Sequence, residues 1–163
     1  MRLRTLHVLT ILLAAQTAAT ASAQMIIDRK IVSSEAAKAM GEACEAFARE
    51  NGWAVSVWVL DAAGHSTYMY RMQGAPWLSV EPSRMKAQTA LQTGRPSSQY
   101  EARARERGDF MGPNMAILLE NFMAHGGLPV IVDGQVAGAI GVGGAPPGGD
   151  EACAQAGIDA IMN

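Results

Sequence analysis

The sequence predicts an α+β protein in which helices cover an antiparallel sheet. Residues 53–60 and 65–72 are rich in β-branched and aromatic side chains on either side of a turn at 61–64, which is typical of a β-hairpin. Asp133-Gly134 joins two further apolar runs, and both residues tolerate the positive φ of a type I′ turn. Helical patterns lie at both ends. Consecutive hairpins form antiparallel sheets whose apolar faces must be covered, so we expect a three-layer sandwich.

The first 23 residues are typical of a secretory signal peptide. Two arginines precede an apolar run at 9–15, and Ala21-Ser22-Ala23 resembles the site that signal peptidase cleaves. The run is shorter than the roughly 20 residues that cross a bilayer, and a retained N-terminal anchor is the alternative. We therefore expect a periplasmic or secreted domain at 24–163 that does not contact the membrane after cleavage.

The first two predicted helices lie on either side of the first hairpin. In the first, at 34–50, a stripe of apolar residues repeats at helical spacing, with Ser33 as N-cap and Asn51-Gly52 as the stop. The second spans 80–93, with Ser79 as a possible cap and Gly94 as its end.

The rest of the sequence predicts a short charged helix, three strands and a final helix. The charged helix spans 99–107. The strands at 115–119, 128–132 and 135–142 bring the predicted total to five, and the last helix begins at Asp150.

Charge and motifs exclude several functional classes. The formal net charge is −2 at pH 7 and no basic run occurs, which argues against a dedicated nucleic-acid-binding protein. The sequence has no Gly-x-Ser-x-Gly elbow, no HExxH, no Walker pattern and no CxxCH. Cys44 and Cys153 both lie in predicted helices. An exported protein could join them in a disulfide, and two buried free thiols are the alternative.

Several blocks, in order, resemble the GlcG/HbpS family. The blocks are VLDAAGH at 59–65, RMQGAP at 71–76, MKAQTA at 85–90, GGLPV at 126–130, DGQVAGAIGVGG at 133–144 and DEACAQAG at 150–157. The resemblance covers nearly all of the chain after the leader. It implies a profilin-like fold with a five-stranded antiparallel sheet and helices on both faces, usually in homo-oligomers. Some members bind haem, and the C-terminal domain of PduO-type proteins is related to them.

Candidate ligand-binding residues follow from this resemblance. Haem iron is typically held by His, Met, Tyr or Cys, which makes His125, His65 and Met72 candidates. His125 precedes Gly126 and Gly127, where a backbone can approach a ligand closely. Surface positions for both histidines and core packing for the methionine are the alternatives.

Basic residues in the matched blocks could bind a carboxylate. Arg71, Arg84 and Lys86 could hold haem propionates or a small organic acid. Lys86 could instead pair with an acid such as Asp61.

Three functional hypotheses remain open at this stage. The first is an exported, oligomeric haem or tetrapyrrole-binding protein. The second is an enzyme that acts on a small oxygenated acid or aromatic compound, with Lys86, His125 and Arg71 as candidate catalytic residues. The third is an accessory module without a ligand of its own.

Overall fold

The computed structural model describes residues 27–99, 106 and 119–162. The predicted leader lies outside these residues, as do most of the predicted helix at 99–107 and most of the predicted strand at 115–119. Within the described ranges, no helix is both long and apolar enough to cross a membrane.

Helix α1 spans Ser34–Glu50, the bounds that the sequence predicts. The Ser33 side chain accepts a hydrogen bond from the Ala36 amide, which confirms the N-cap. Met40 and Cys44 of the predicted stripe are fully buried. The apolar spacing of α1 therefore faces the core, as a helix with one apolar stripe must.

Strands β1 (Ser56–Asp61) and β2 (Ser66–Arg71) form the first predicted hairpin. The intervening turn ends at Gly64, whose φ of 87° lies in the region that favours glycine. Both strands are shorter than predicted: β1 begins three residues later than expected and ends one residue later, and β2 lacks one residue at each end.

Strands β3 (Gly127–Val132) and β4 (Gln135–Gly143) form the second hairpin. Asp133 and Gly134 have φ angles of 50° and 76°, which confirms a turn with two positive φ angles. The described residues form one antiparallel sheet of four strands in the order β2-β1-β4-β3. Five strands were expected. The missing one, at 115–119, falls outside the described residues except for Leu119, which lies in a turn.

Helices cover both faces of this sheet. Helices α1 and α3 (Gly149–Met162) pack on one face, over a core that includes Val57, Val59 and Ile140. Helix α2 (Val80–Thr93) packs on the other face, chiefly against β1, β3 and β4. It approaches β4 so closely that a Cβ added at Gly141 would lie 2.0 Å from the Ser83 carbonyl oxygen.

A disulfide joins Cys44 of α1 to Cys153 of α3. Both cysteines are fully buried, and they are separated by 109 residues in the sequence. Of the two alternatives that the sequence leaves open, the structure shows the disulfide. It ties together the two helices of one layer.

Helix α2 spans its predicted residues but begins differently. A short 3-10 turn at Trp77–Ser79 precedes it, and the Ser79 hydroxyl donates to the Pro76 carbonyl at 2.6 Å. The same hydroxyl lies 2.8 Å from the hydroxyl of Ser56 on β1. Because the side chain is used in this way, Ser79 does not cap the helix with its hydroxyl.

Candidate functional site

His125 lies at the surface, just before β3, beside the first turn of α3. Its Nδ1 is 3.1 Å from Oε2 of Glu151, and 61% of its side chain is exposed. No other partner of the ring occurs among the described residues. A histidine whose Nδ1 is held by a carboxylate has a fixed ring orientation and presents Nε2 to a ligand.

Lys86 is buried on α2 and forms an ion pair with Asp150 of α3. Its Nζ lies 2.7 Å from Asp150 Oδ2 and donates to the Val142 carbonyl at 2.9 Å. Only 7% of the Lys86 side chain and 14% of the Asp150 side chain are exposed. Asp150 Oδ1 also accepts the Ala145 amide at 2.8 Å. The acid that pairs with Lys86 is thus Asp150 and not Asp61, the example suggested by the sequence.

The Lys86 pair leaves little room for chemistry at its amine. A lysine that acts as a base or as a Schiff-base nucleophile needs a neutral amine that substrate can reach. Here the amine is covered and held by a carboxylate and a carbonyl, and the Phe122 ring centroid lies 6.0 Å away. This geometry counts against the enzyme hypothesis in the form that depends on Lys86.

Arg84 is likewise engaged with acids. Its guanidinium donates to Glu81 at 2.9 Å, to Glu120 at 2.8 Å and to Gln88 at 3.1 Å. Partial burial alone would lower the pKa of Arg84, but the hydrogen bonds to the two glutamates outweigh it and raise that pKa. Arg84 is therefore a link between α2 and the 119–122 segment, with its charge already compensated.

Gly127 brings β3 against α2. A Cβ at this position would lie 2.2 Å from the Lys86 carbonyl oxygen, so only glycine fits without movement. The Gly127 amide donates to the Ser97 hydroxyl at 2.9 Å. The close approach that the double glycine predicts is therefore made to helix α2 and its following loop.

His65 and Asp61 form a second histidine–carboxylate pair, at the β1–β2 turn. His65 Nδ1 lies 3.1 Å from Asp61 Oδ2, and 78% of the His65 side chain is exposed. Asp61 Oδ1 accepts the amides of Ala63 and His65. Burial raises the pKa of Asp61, but these hydrogen bonds and the imidazole outweigh burial, so that the pKa is lowered overall.

Met72 and Arg71 lie at the opposite end of β2 from His65. At about 3.3 Å per residue, the six-residue strand separates the two ends by about 20 Å. The Met72 sulfur accepts the Val55 amide at 3.5 Å within the core, and Arg71 donates to the Ala75 carbonyl. His65 therefore does not share one small site with these two residues.

A pocket of about 450 Å³ lies beside the turn that carries Asp61 and His65. Its lining comes from the segment before α1, the end of β1 and its turn, the C-terminal half of α2 and the start of β4. The lining residues are Arg29, Leu60, Ala62, Ala63, Gly64, Gln88, Leu91, Gln92 and Val136. Sequence reasoning missed Arg29 and Gln92, since neither belongs to a recognisable motif. No group of three or more His, Cys, Asp or Glu residues within the described residues is arranged to hold a metal ion.

Comparison with known proteins decides the family. The family model described as "Haem degrading protein HbpS-like" matches residues 32–159. This chain belongs to that family. Protein GlcG of Escherichia coli K12 is 35% identical over 113 residues, which cover 69% of this chain and 81% of GlcG. The resemblance to the GlcG/HbpS family noted in the sequence is thereby confirmed.

Solved structures of HbpS-like proteins share the fold. A variant of HbpS from Streptomyces reticuli superposes with a TM-score of 0.77 at 29% identity, over 85% of this chain and 92% of HbpS. A crystal structure of a PduOC:haem complex gives a TM-score of 0.73 at 24% identity, over 78% of this chain and 93% of that one. At that identity the PduOC likeness supports the fold alone.

Proposed function

We propose that this protein is exported and binds haem or a related tetrapyrrole, with His125 as the iron ligand. The observation that carries the proposal is the geometry of His125: Nδ1 is held by Glu151, and most of the ring is exposed. Imidazole Nε2 is a common axial ligand of haem iron, and a carboxylate on Nδ1 strengthens it.

Two apolar side chains that lie near His125 in the sequence are exposed. Leu119 and Phe122, which precede His125 by a few residues, are 42% and 39% exposed although both are apolar. A planar apolar cofactor needs apolar side chains to pack against, and we propose that these two supply them. Arg84 and Lys86 already bind carboxylates, so we expect the propionates to face solvent. Bound haem would supply a redox-active iron at this surface.

Membership of the HbpS-like family supports the choice of ligand. The family description names haem-degrading proteins. A direct binding measurement on this chain tests whether it shares that ligand.

His65 is the second candidate for the iron ligand. It has the same arrangement, with Nδ1 on Asp61 and a largely exposed ring. The two histidines therefore serve as matched controls for one another. If His125 is the ligand, His125→Ala abolishes the haem spectrum and His65→Ala leaves it unchanged.

The test is a haem titration of residues 24–163 followed by absorbance. We expect a Soret shift at micromolar haem that His125→Ala removes. Glu151→Gln keeps the imidazole but removes the carboxylate, and we expect haem affinity to fall about tenfold or more. The proposal is wrong if no shift occurs, or if the spectrum survives in His125→Ala.

We also propose that the mature protein is periplasmic or secreted. The leader-like residues 1–23 and the buried disulfide both fit an oxidising compartment. Mass spectrometry of the protein purified from cell fractions tests this. A new N-terminus at Gln24 in the exported fraction supports the proposal, and an intact N-terminus in the cytoplasm contradicts it.

A homo-oligomer is the third part of the proposal. Trp77 and Leu78 are 82% and 72% exposed, far more than such side chains usually are. We propose that a second copy of the chain covers them. Light scattering after size exclusion should give a multiple of the monomer mass, and Trp77→Glu should reduce it. A monomer at micromolar concentration contradicts this part.

A further inference from the structure

The pocket beside the β1–β2 turn is lined by both apolar and polar groups. Leu60, Leu91 and Val136 form apolar surface, and the backbone of residues 62–64 closes one side. Arg29 and Gln92 bring polar groups to the same space. Its volume of about 450 Å³ lies within the range of small-molecule sites.

Arg29 brings an uncompensated positive charge to this pocket. Its guanidinium donates to the Ala62 carbonyl, a neutral partner. Among the described residues, no carboxylate lies within ion-pair distance of Arg29, whereas Arg84 and Arg49 are each held by glutamate. A guanidinium without an acid is ready to bind the planar fork of a carboxylate.

Gln92 supplies a further hydrogen-bond donor to the pocket. Gln92 makes no hydrogen bond with any described residue, so its amide is available. His65 follows the lining residue Gly64, and its ring meets Asp61 through Nδ1 only. The charge of Asp61 is offset by that ring and by two backbone amides, which reduces its repulsion of an incoming anion.

We propose that this pocket binds a small organic acid with an apolar body, a ligand distinct from haem. The carboxylate pairs with Arg29 and accepts the amide of Gln92. The body of the ligand packs on Leu60, Leu91 and Val136. This proposal does not depend on the haem proposal, because none of the pocket residues is His125 or one of its contacts.

The experiment is a titration of haem-free protein with benzoate, followed by amide chemical shifts in NMR spectra. Benzoate is taken to about 10 mM, which detects millimolar dissociation constants. We expect saturable shifts at residues 62–64 and Gln92. Benzamide, the neutral analogue of the same shape, should bind at least about tenfold more weakly, since it lacks the charge that Arg29 recognises.

Arg29→Gln and Lys30→Gln provide a matched pair of variants. Both remove one cation at neighbouring positions, but Lys30 faces Asp133 and lies outside this pocket. We expect Arg29→Gln to weaken benzoate binding about tenfold or more, and Lys30→Gln to leave it unchanged. Absence of shifts at the pocket, equal binding of benzoate and benzamide, or equal loss in both variants overturns the proposal.

Because the titration uses haem-free protein, its outcome is separate from that of the haem titration. Loss of haem binding in His125→Ala with benzoate binding retained supports two independent sites. If His125→Ala abolishes the benzoate shifts as well, the pocket is not an independent site and the inference is wrong.

Discussion

Replacement of Lys86 by methionine tests whether the buried ion pair holds the fold or serves chemistry. Methionine keeps most of the side-chain volume but removes the charge. Asp150, with only 14% of its side chain exposed, then has no cationic partner among the described residues. Breaking one partner of a buried pair costs about 3–5 kcal/mol. At about 4 °C per kcal/mol for a domain of this size, Tm should fall by roughly 12–20 °C.

Matched variants distinguish the stability lost with the ion pair from the general effects of a mutation. Lys38→Met breaks the exposed pair with Glu42, where both side chains are more than half exposed, and should cost less than about 0.5 kcal/mol. Asp150→Asn keeps an acceptor for the Ala145 amide while it removes the charge. When Lys86→Met and Asp150→Asn are combined, the loss in the free energy of unfolding should be smaller than the sum of the two single losses by about 1–3 kcal/mol.

The assays are chemical and thermal denaturation at neutral pH, both followed by circular dichroism, which give the free energy of unfolding and Tm. A cost below about 1 kcal/mol for Lys86→Met, or full additivity with Asp150→Asn, would refute the structural role. Lys86 would then become a candidate for ligand binding or catalysis again, as the sequence alone allows.

Three further outcomes follow from the fold. Replacing Cys44 and Cys153 together by alanine should lower the free energy of unfolding by about 4–5 kcal/mol, given a 109-residue separation, as measured by denaturation without reductant. Gly141→Ala should cost about 1–3 kcal/mol in the same assay, because its methyl group would meet the Ser83 carbonyl. The lowered pKa of Asp61 means that its contribution to stability is present above the unfolded-state pKa and is lost as pH falls through the folded-state pKa. Denaturation at successive pH values should show the free energy of unfolding falling at acid pH. This fall should be smaller in Asp61→Asn.

The elements that the sequence predicts well are those with local causes. Helix α1 follows from one apolar stripe, a serine cap and a glycine stop, all within 20 residues of each other. The second hairpin follows from Asp133-Gly134, whose backbone requirements are local as well. In both cases the residues that determine the structure are neighbours in the chain, so a pattern reveals them.

The site residues depend on contacts that no local pattern reveals. Asp150 is 64 residues from Lys86, and only the packing of α3 beside β4 makes them partners. Arg29 belongs to no motif, and it reaches the pocket through its contact with Ala62, 33 residues away in the sequence. The carboxylates that orient the two histidines show the same contrast between local and distant contacts. Asp61 is four residues from His65 in the sequence, whereas Glu151 is 26 residues from His125.

The spectrum of haem added to the variant lacking both histidines tests the central claim most directly. The described residues hold two surface imidazoles fixed by carboxylates, and the claim is that the imidazole of His125 binds iron. We expect the parent protein to form a histidine-ligated complex and the variant with both His65→Ala and His125→Ala to show only free haem. An unchanged Soret band in that variant, with the fold intact by circular dichroism, would contradict the account.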